Sequence, residues 1–266
     1  MAHTEQKKQL VYLSRKRCLF IGYMPEKIRT TQASPVLLIN LSGSFDIPTP
    51  AGVVCSRTLL LPAGETAEFI AHDNLIADLM LDPLSGDFER VKTAMSSVYP
   101  GMYINLRQEQ CIVDLMQNIY DREYEIDEVI ARLRRHFCRL APLDKKPTID
   151  PRVEHVVTTI STCPFKNQSV ADLAKSTNLS IPRLVELFKR DMGVPISKYR
   201  IWRRLFTAAL TLANSSNLTD AAHAAGFCDS SHYSKKFKDM FGVSPKHIFG
   251  SGNDIILKCE QPPSRS

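Results

Sequence analysis

Seven cysteines are scattered through this 266-residue chain, at 18, 55, 111, 138, 163, 228 and 259, and none forms a Cys-x-x-Cys pair. That scatter argues against a disulfide framework or a zinc site and points to reduced thiols in a cytoplasm. No run of about 18 apolar residues occurs, so no membrane span is expected. The opening Met1-Ala-His-Thr-Glu-Gln-Lys-Lys lacks the apolar core of a signal peptide. Histidine is sparse in the first half (His3, His72, His136) and never appears as His-x-His. The clustered ligands of a metal oxygenase are therefore missing, and His72 reads as a rim or loop residue. Gly-x-Ser-x-Gly, a phosphate loop and a Cys/His pairing are absent too. The chain reads as a non-enzyme with no catalytic residue, no metal and no cofactor.

What is present is a globular composition, 44% hydrophobic and 23% charged, in a length that suits two domains. After a polar start, Cys18-Leu-Phe-Ile-Gly-Tyr-Met is apolar. From Pro35 short β-type runs alternate with turn signals: 36–41, 45–47, 53–61, 66–72 and 75–81. Strands at roughly ten-residue spacing suggest a sandwich or a barrel. After Pro100 the pattern turns helical. Cys111, Ile112, Leu115 and Ile119 share a helical face, as do Ile126, Val129, Ile130, Leu133 and Phe137. Either the β-domain wall or the same helices of a second subunit would cover these faces, so a homodimer stays open. Residues 141–149, with two prolines, read as a linker between 1–140 and 150–250, and 251–266 read as a polar C-terminal tail.

The second half contains a repeat. Phe188-Lys-Arg-Asp-Met-Gly-Val and Phe237-Lys-Asp-Met-Phe-Gly-Val stand 49 residues apart. Each closes a unit of short helix, turn, second helix and Gly stop: 169–176 with 181–191, and 218–225 with 230–240. Asp229 is placed as the N-cap of the last helix. Pro195 to Asn214 reads as one joining helix, about 27 Å long. That rod would set two recognition helices near one DNA turn apart, so one chain could enter two successive major grooves. Charge agrees: residues 150–249 hold 14 Lys+Arg and 8 Asp+Glu, a net +6, while the remainder balances at 20 and 20. Localised positive charge suits a polyanionic partner, although a solvated face is the bland reading. Arg200, Arg203 and Arg204 on the rod are candidates for phosphate contact.

Residues 150–249 resemble the DNA-binding domain of AraC/XylS-type bacterial transcription regulators. The resemblance rests on Gly226-Phe, then Asp229-Ser-Ser-His-Tyr-Ser-Lys-Lys-Phe-Lys, then Gly242-Val-Ser-Pro. Ala221 departs from the family's usual branched aliphatic, and His247-Ile-Phe from its usual Tyr-Arg. The resemblance implies that Pro182, Arg183, Val185, Glu186 and Lys189 face the groove in the first unit, and Ser230, Ser231, Ser234 and Lys235 in the second. Leu59-Leu-Leu-Pro-Ala-Gly and Leu79-Met-Leu-Asp-Pro resemble the family's cupin-like sensor half. The implied fold is α+β in two domains: an N-terminal cupin-like β-barrel with appended helices, and a C-terminal all-α domain of two helix-turn-helix units joined by a long helix. The implied function is sequence-specific binding of double-stranded DNA to regulate transcription, under control of a small-molecule effector or of dimerisation through the N-terminal domain. The competing reading is a helical interaction protein whose basic face binds a protein, or DNA without specificity.

Overall fold

Side chains that alternate in and out govern residues 8–106, and helical periodicity governs most of the chain beyond Leu106. The computed structural model describes residues 7–14, 17–141, 149–162, 168–214, 218–250 and 253–260. Its strands are β1 (Lys8–Leu13), β2 (Cys18–Tyr23), β3 (Lys27–Thr30), β4 (Val36–Asn40), β5 (Phe45–Thr49), β6 (Gly52–Ser56), β7 (Thr58–Leu61), β8 (Ala67–Ile70), β9 (Leu75–Met80), β10 (Met95–Tyr99), β11 (Met102–Leu106) and β12 (Asp254–Cys259). Its helices are α1 (Asp87–Ala94), α2 (Glu109–Arg122), α3 (Ile126–Leu140), α4 (Pro151–Thr162), α5 (Val170–Ser176), α6 (Ile181–Met192), α7 (Ile196–Asn214), α8 (Leu218–Ala224), α9 (Ser230–Phe241) and α10 (Pro245–Phe249).

Eight strands form one sheet in the order β10-β11-β7-β4-β9-β2-β1-β12, and four form a second, β3-β8-β5-β6. The large sheet is apolar on both faces. Val11, Leu13, Phe20, Leu38, Ile76 and Met80 share a core with Phe45, Ile47 and Phe69 of the small sheet and with the helical half. Their strand neighbours Leu10, Leu19, Ile21, Leu37 and Leu79 point the other way, onto Ile112 and Met116 of α2 and Val129, Leu133 and Phe137 of α3. The large sheet therefore covers the apolar faces of α2 and α3.

Several expectations shift. Residues 53–61 are not one strand. β6 is an exposed edge of the small sheet, β7 is buried in the large one, and Arg57 between them donates from Nε to the Asn40 carbonyl at 3.1 Å. Cys111 is exposed and Leu115 half-buried, because the buried stripe of α2 runs through Ile112, Val113, Met116 and Ile119. The β-half is two sheets sharing a core, and the strands form no single closed ring among the described residues. The expected polar tail contains β12, which pairs in parallel with β1 from Lys8↔Asp254 to Leu13↔Cys259. Its Ile255-Ile-Leu run is half-buried there and occupies an edge that β1 would otherwise expose. Most of the expected linker, residues 142–148, lies outside the described residues, as do 261–266 and His3.

In the helical half the helices form where capping residues and apolar spacing place them. Ser169 caps α5 with a capping box closed by Asp172, and Ser180, Asp229 and Ser244 cap α6, α9 and α10. Gly193 and Gly242 end α6 and α9 in the left-handed conformation, at φ 72° and 77°. α7 is the common support. Phe188 of α6, Tyr199, Trp202 and Phe206 form a chain of ring contacts at 5.7, 5.5 and 6.2 Å. On the other side Phe227, Tyr233, Phe237 and Phe241 continue at 5.4, 5.7 and 4.5 Å.

The candidate nucleic-acid interface

Burial sorts the two second helices into a packed side and a presented side. In α6, Leu184, Leu187, Phe188 and Met192 are buried. Pro182, Arg183, Val185, Glu186 and Lys189 are all exposed. Arg183 Nη1 and Glu186 Oε2 are paired at 2.7 Å along the exposed surface. An exposed pair of this kind contributes little to stability, so both groups remain available to a base edge. Ile181 and Val185 are 47% and 41% exposed on the same helix. Two presented aliphatics suit thymine methyl groups as well as hydrogen bonding suits base edges. Residue type alone does not single out Ile181, since an apolar side chain reads first as core.

In α9, Tyr233, Phe237 and Met240 are buried. Ser231 and Lys235 are exposed, and Ser230 and Ser234 half-buried. Asp229 Oδ1 accepts from the His232 amide at 2.7 Å, which fixes the start of the helix. His232 and Lys238 are exposed as well. Lys238 prolongs the line of Ser231 and Lys235 at helical spacing, a signal already present in the sequence. The amides of the first turn and the lysines give this face a positive character suited to phosphate.

The three rod arginines behave differently. Arg203 is 6% exposed, with its guanidinium 5.5 and 5.1 Å from the ring centroids of Trp202 and Phe206 and Nη2 directed at the Ser161 carbonyl at 3.3 Å. Burial holds its pKa below the usual arginine value. The expected phosphate contact from Arg203 is thus overturned: its head serves the domain core. Arg200 is half-buried and donates through Nη2 to the Gln168 carbonyl, just before the α5 cap. Arg204 is half-buried beside the turn at Gly226, where an added Cβ would lie 3.9 Å from its Cζ. Both arginines brace turns of the helix-turn-helix units.

The second helices of the two units are not isolated from the β-half. Gly242 abuts Ile28 and Arg29, and Gly193 abuts Ala63 with Gly64 facing it. Thr30 Oγ1 donates to the Met240 carbonyl at 2.6 Å. His247 Nε2 lies 3.0 Å from the Tyr23 carbonyl, and Gln9 donates to the His247 carbonyl at 3.2 Å. The departure at His247 is therefore a tie between α10 and β2. His72 sits in a turn, exposed and 2.9 Å from Asp46, as a rim residue. Among the described residues no cluster of His, Cys, Asp and Glu could hold a metal, and no helix is long and apolar enough to cross a membrane.

Residues 173–250 match the family model described as a helix-turn-helix domain. The helical half is an AraC/XylS-type helix-turn-helix domain. The lactose operon transcription activator of Staphylococcus xylosus is 30% identical over 143 residues, covering 52% of this chain and 48% of that protein. The transcriptional activator RhrA of Rhizobium meliloti is 25% identical over 235 residues, covering 86% of this chain and 69% of that one. The AraC/XylS-type match thus spans about half the length of the first of these relatives. In fold, the chain is similar to ToxT of Vibrio cholerae strain SCE256, solved with an unsaturated fatty acid bound. The TM-score is 0.54 at 11% identity, over 94% of this chain and 96% of that one. The two-part α+β architecture, a sheet-rich half before the AraC/XylS-type domain, is common to both.

Proposed function

We propose that this chain is a sequence-specific transcription regulator that binds double-stranded DNA with α6 and α9 in successive major grooves. The observation that carries this reading is the matched build of the two helices on one rod. Each is capped by a polar side chain, ended by a left-handed glycine, buried on one face and exposed on the other. The 19 residues of α7 make the rod between them about 28 Å long. Pro182, Arg183, Val185, Glu186 and Lys189 read one groove and Ser230, Ser231, Ser234 and Lys235 the other. The sheet-rich half serves as the control domain, and the joint core supports a small effector acting on the position of the second unit. A homodimer would use the outward faces of α2 and α3, since the large sheet takes their apolar faces. The working compartment is the bacterial cytoplasm.

The test is a salt titration of the full chain on fragments selected from genomic DNA and on random duplex. Affinity for the selected fragments should fall steeply as salt rises and exceed that for random duplex by about 10³ or more. Affinity that does not change with salt would return the reading to a protein-binding helical module.

A further inference from the structure

The large sheet and the second helix-turn-helix unit enclose a cavity of about 50 Å³. Phe20, Met24 and Met80 line it from the sheet, and Phe206, Phe237 and Phe241 from the helices. One carboxyl stands in this apolar wall. Asp78 lies on β9 between Ile76 and Met80 on the inward face, opposite Phe20 and Leu38, and is 5% exposed. Its Oδ2 accepts from Gln32 Nε2 at 3.0 Å. Its Oδ1 has no hydrogen-bond partner among the described residues, and neither has the buried Oε1 of Gln32 beside it. A buried acceptor left without a donor is unfavourable, so an inward-facing position in a sheet core would ordinarily hold an apolar residue.

We propose that this cavity binds a small apolar amine, with its ammonium on Asp78 Oδ1 and its hydrocarbon against Phe206, Phe237 and Phe241. The proposal rests on the sheet-rich half being the part that takes an effector, and it names that effector's chemistry. Apart from Asp78 and Cys18 the lining side chains carry no titratable or hydrogen-bonding group. A carboxylate would meet only the weak Cys18 thiol as a donor and, once Asp78 is ionised, would face its charge. A hydroxyl offers one donor, whereas an ammonium offers three and a compensating charge. Burial pushes the Asp78 carboxyl up to about 7, so a cation beside it restores the ionised form near neutrality. The Cys18 thiol is pushed up by burial and by Asp78 itself, and it stays neutral. A cavity of about 150 Å³ takes benzene, so this one, about a third of that size, suits an amine of one or two carbons as it stands and a third carbon with a shift of the flexible Met24 side chain. Half the wall belongs to α7, α9 and α10, so an occupant that fits the closed cavity favours the docked position of the second unit.

Thermal unfolding of the full-length protein at pH 8 and constant ionic strength, with millimolar n-propylamine, n-propanol or propionate, tests this. Propylamine should raise Tm by about 2 °C, propanol by less and propionate not at all. In Asp78→Asn, which keeps the shape and removes the charge, the propylamine shift should vanish. A shift from propionate equal to that from propylamine, a propylamine shift unchanged in Asp78→Asn, or no shift from any probe overturns the proposal. The comparison of the three probes on the unaltered protein holds even if the variant folds poorly. A propionate-specific shift would leave an effector site standing and remove only the amine. The salt titration on DNA reads the regulator function separately.

Discussion

The two helix-turn-helix units share a sequence pattern, yet they stand differently toward the rest of the molecule. The first meets the β-half through backbone: Gly193 against Ala63, and Gly64 against the Gly193 carbonyl. The second has backbone approaches too, Gly242 against Arg29 and the Met240 carbonyl on Thr30, and adds side chains to them. Phe237 and Phe241 of α9, with Ile248 and Phe249 of α10, close the cavity over the large sheet, and His247 reaches the Tyr23 carbonyl. Their outward faces differ as well. α6 presents two aliphatics and an Arg–Glu pair, whereas α9 presents serines and lysines. The contrast gives α6 aliphatic and paired charged groups suited to base edges and α9 hydroxyls and ammonium groups suited to base edges and phosphates alike, and it packs the second unit's side chains more fully against the β-half.

The largest test of this contrast exchanges equivalent phenylalanines. Phe188→Ala and Phe237→Ala should each cost about 3–5 kcal/mol in chemical denaturation. Only Phe237→Ala should also open the cavity and make the contacts between the halves susceptible to protease. Equal protease resistance in the two variants would break the contrast. Next come the glycines. Both Gly193→Ala and Gly242→Ala impose a left-handed conformation on a residue with a Cβ. The Cβ at 193 would lie 2.8 Å from the Ala63 carbonyl oxygen, whereas at 242 the backbone approach is longer, 3.0 Å to the Arg29 oxygen, with the Ile28 Cγ2 at 2.8 Å. Gly193→Ala should therefore lose about 2–3 kcal/mol and Gly242→Ala about 1–2 kcal/mol, read from denaturation midpoints.

Smaller effects bear on DNA. Lys235→Ala should remove about 1–3 kcal/mol of preference for selected over random duplex, measured by competition. Equal losses on both would move Lys235 to the phosphate-binding set. Arg203→Ala should instead lower Tm, because its guanidinium is packed against Trp202 and Phe206. The smallest change has the opposite sign. The Tyr233 hydroxyl is buried without a hydrogen-bond partner among the described residues, and burial raises its pKa. Tyr233→Phe should stabilise the protein by about 1 kcal/mol in denaturant titrations, with DNA affinity unchanged.

Much of the helical half was legible because its signals are local. Asp229 as cap, the glycines after α6 and α9 and the Phe-Lys repeat act within a turn or two of chain. The outward positions of α9 followed from the same spacing, whereas the assignment of residues on α6 and α9 to a groove came from the resemblance alone. What was not legible depends on contacts between distant segments. Arg203 reads as a phosphate ligand until Trp202, Phe206 and Ser161 close around it. The setting of Asp78 comes only from the pairing that puts β2 and β4 on either side of it on a buried face. Residues 53–61 read as one strand because the change of sheet at Arg57 is set by pairing partners, which hydropathy does not carry.

The parallel ladder between β1 and β12 gives the chain an unusual topology. The helical half is inserted within the sheet's own sequence, entered after α3 and left through β12. A single cut between residues 142 and 148 would not release it, since six residue pairs of ladder still fasten it to the sheet edge. That ladder joins positions 8 and 254, so it closes late in folding, after the local helices have formed. A fusion or deletion placed at 254–259 therefore strips an edge strand from the sheet and gives the second reading helix a longer leash.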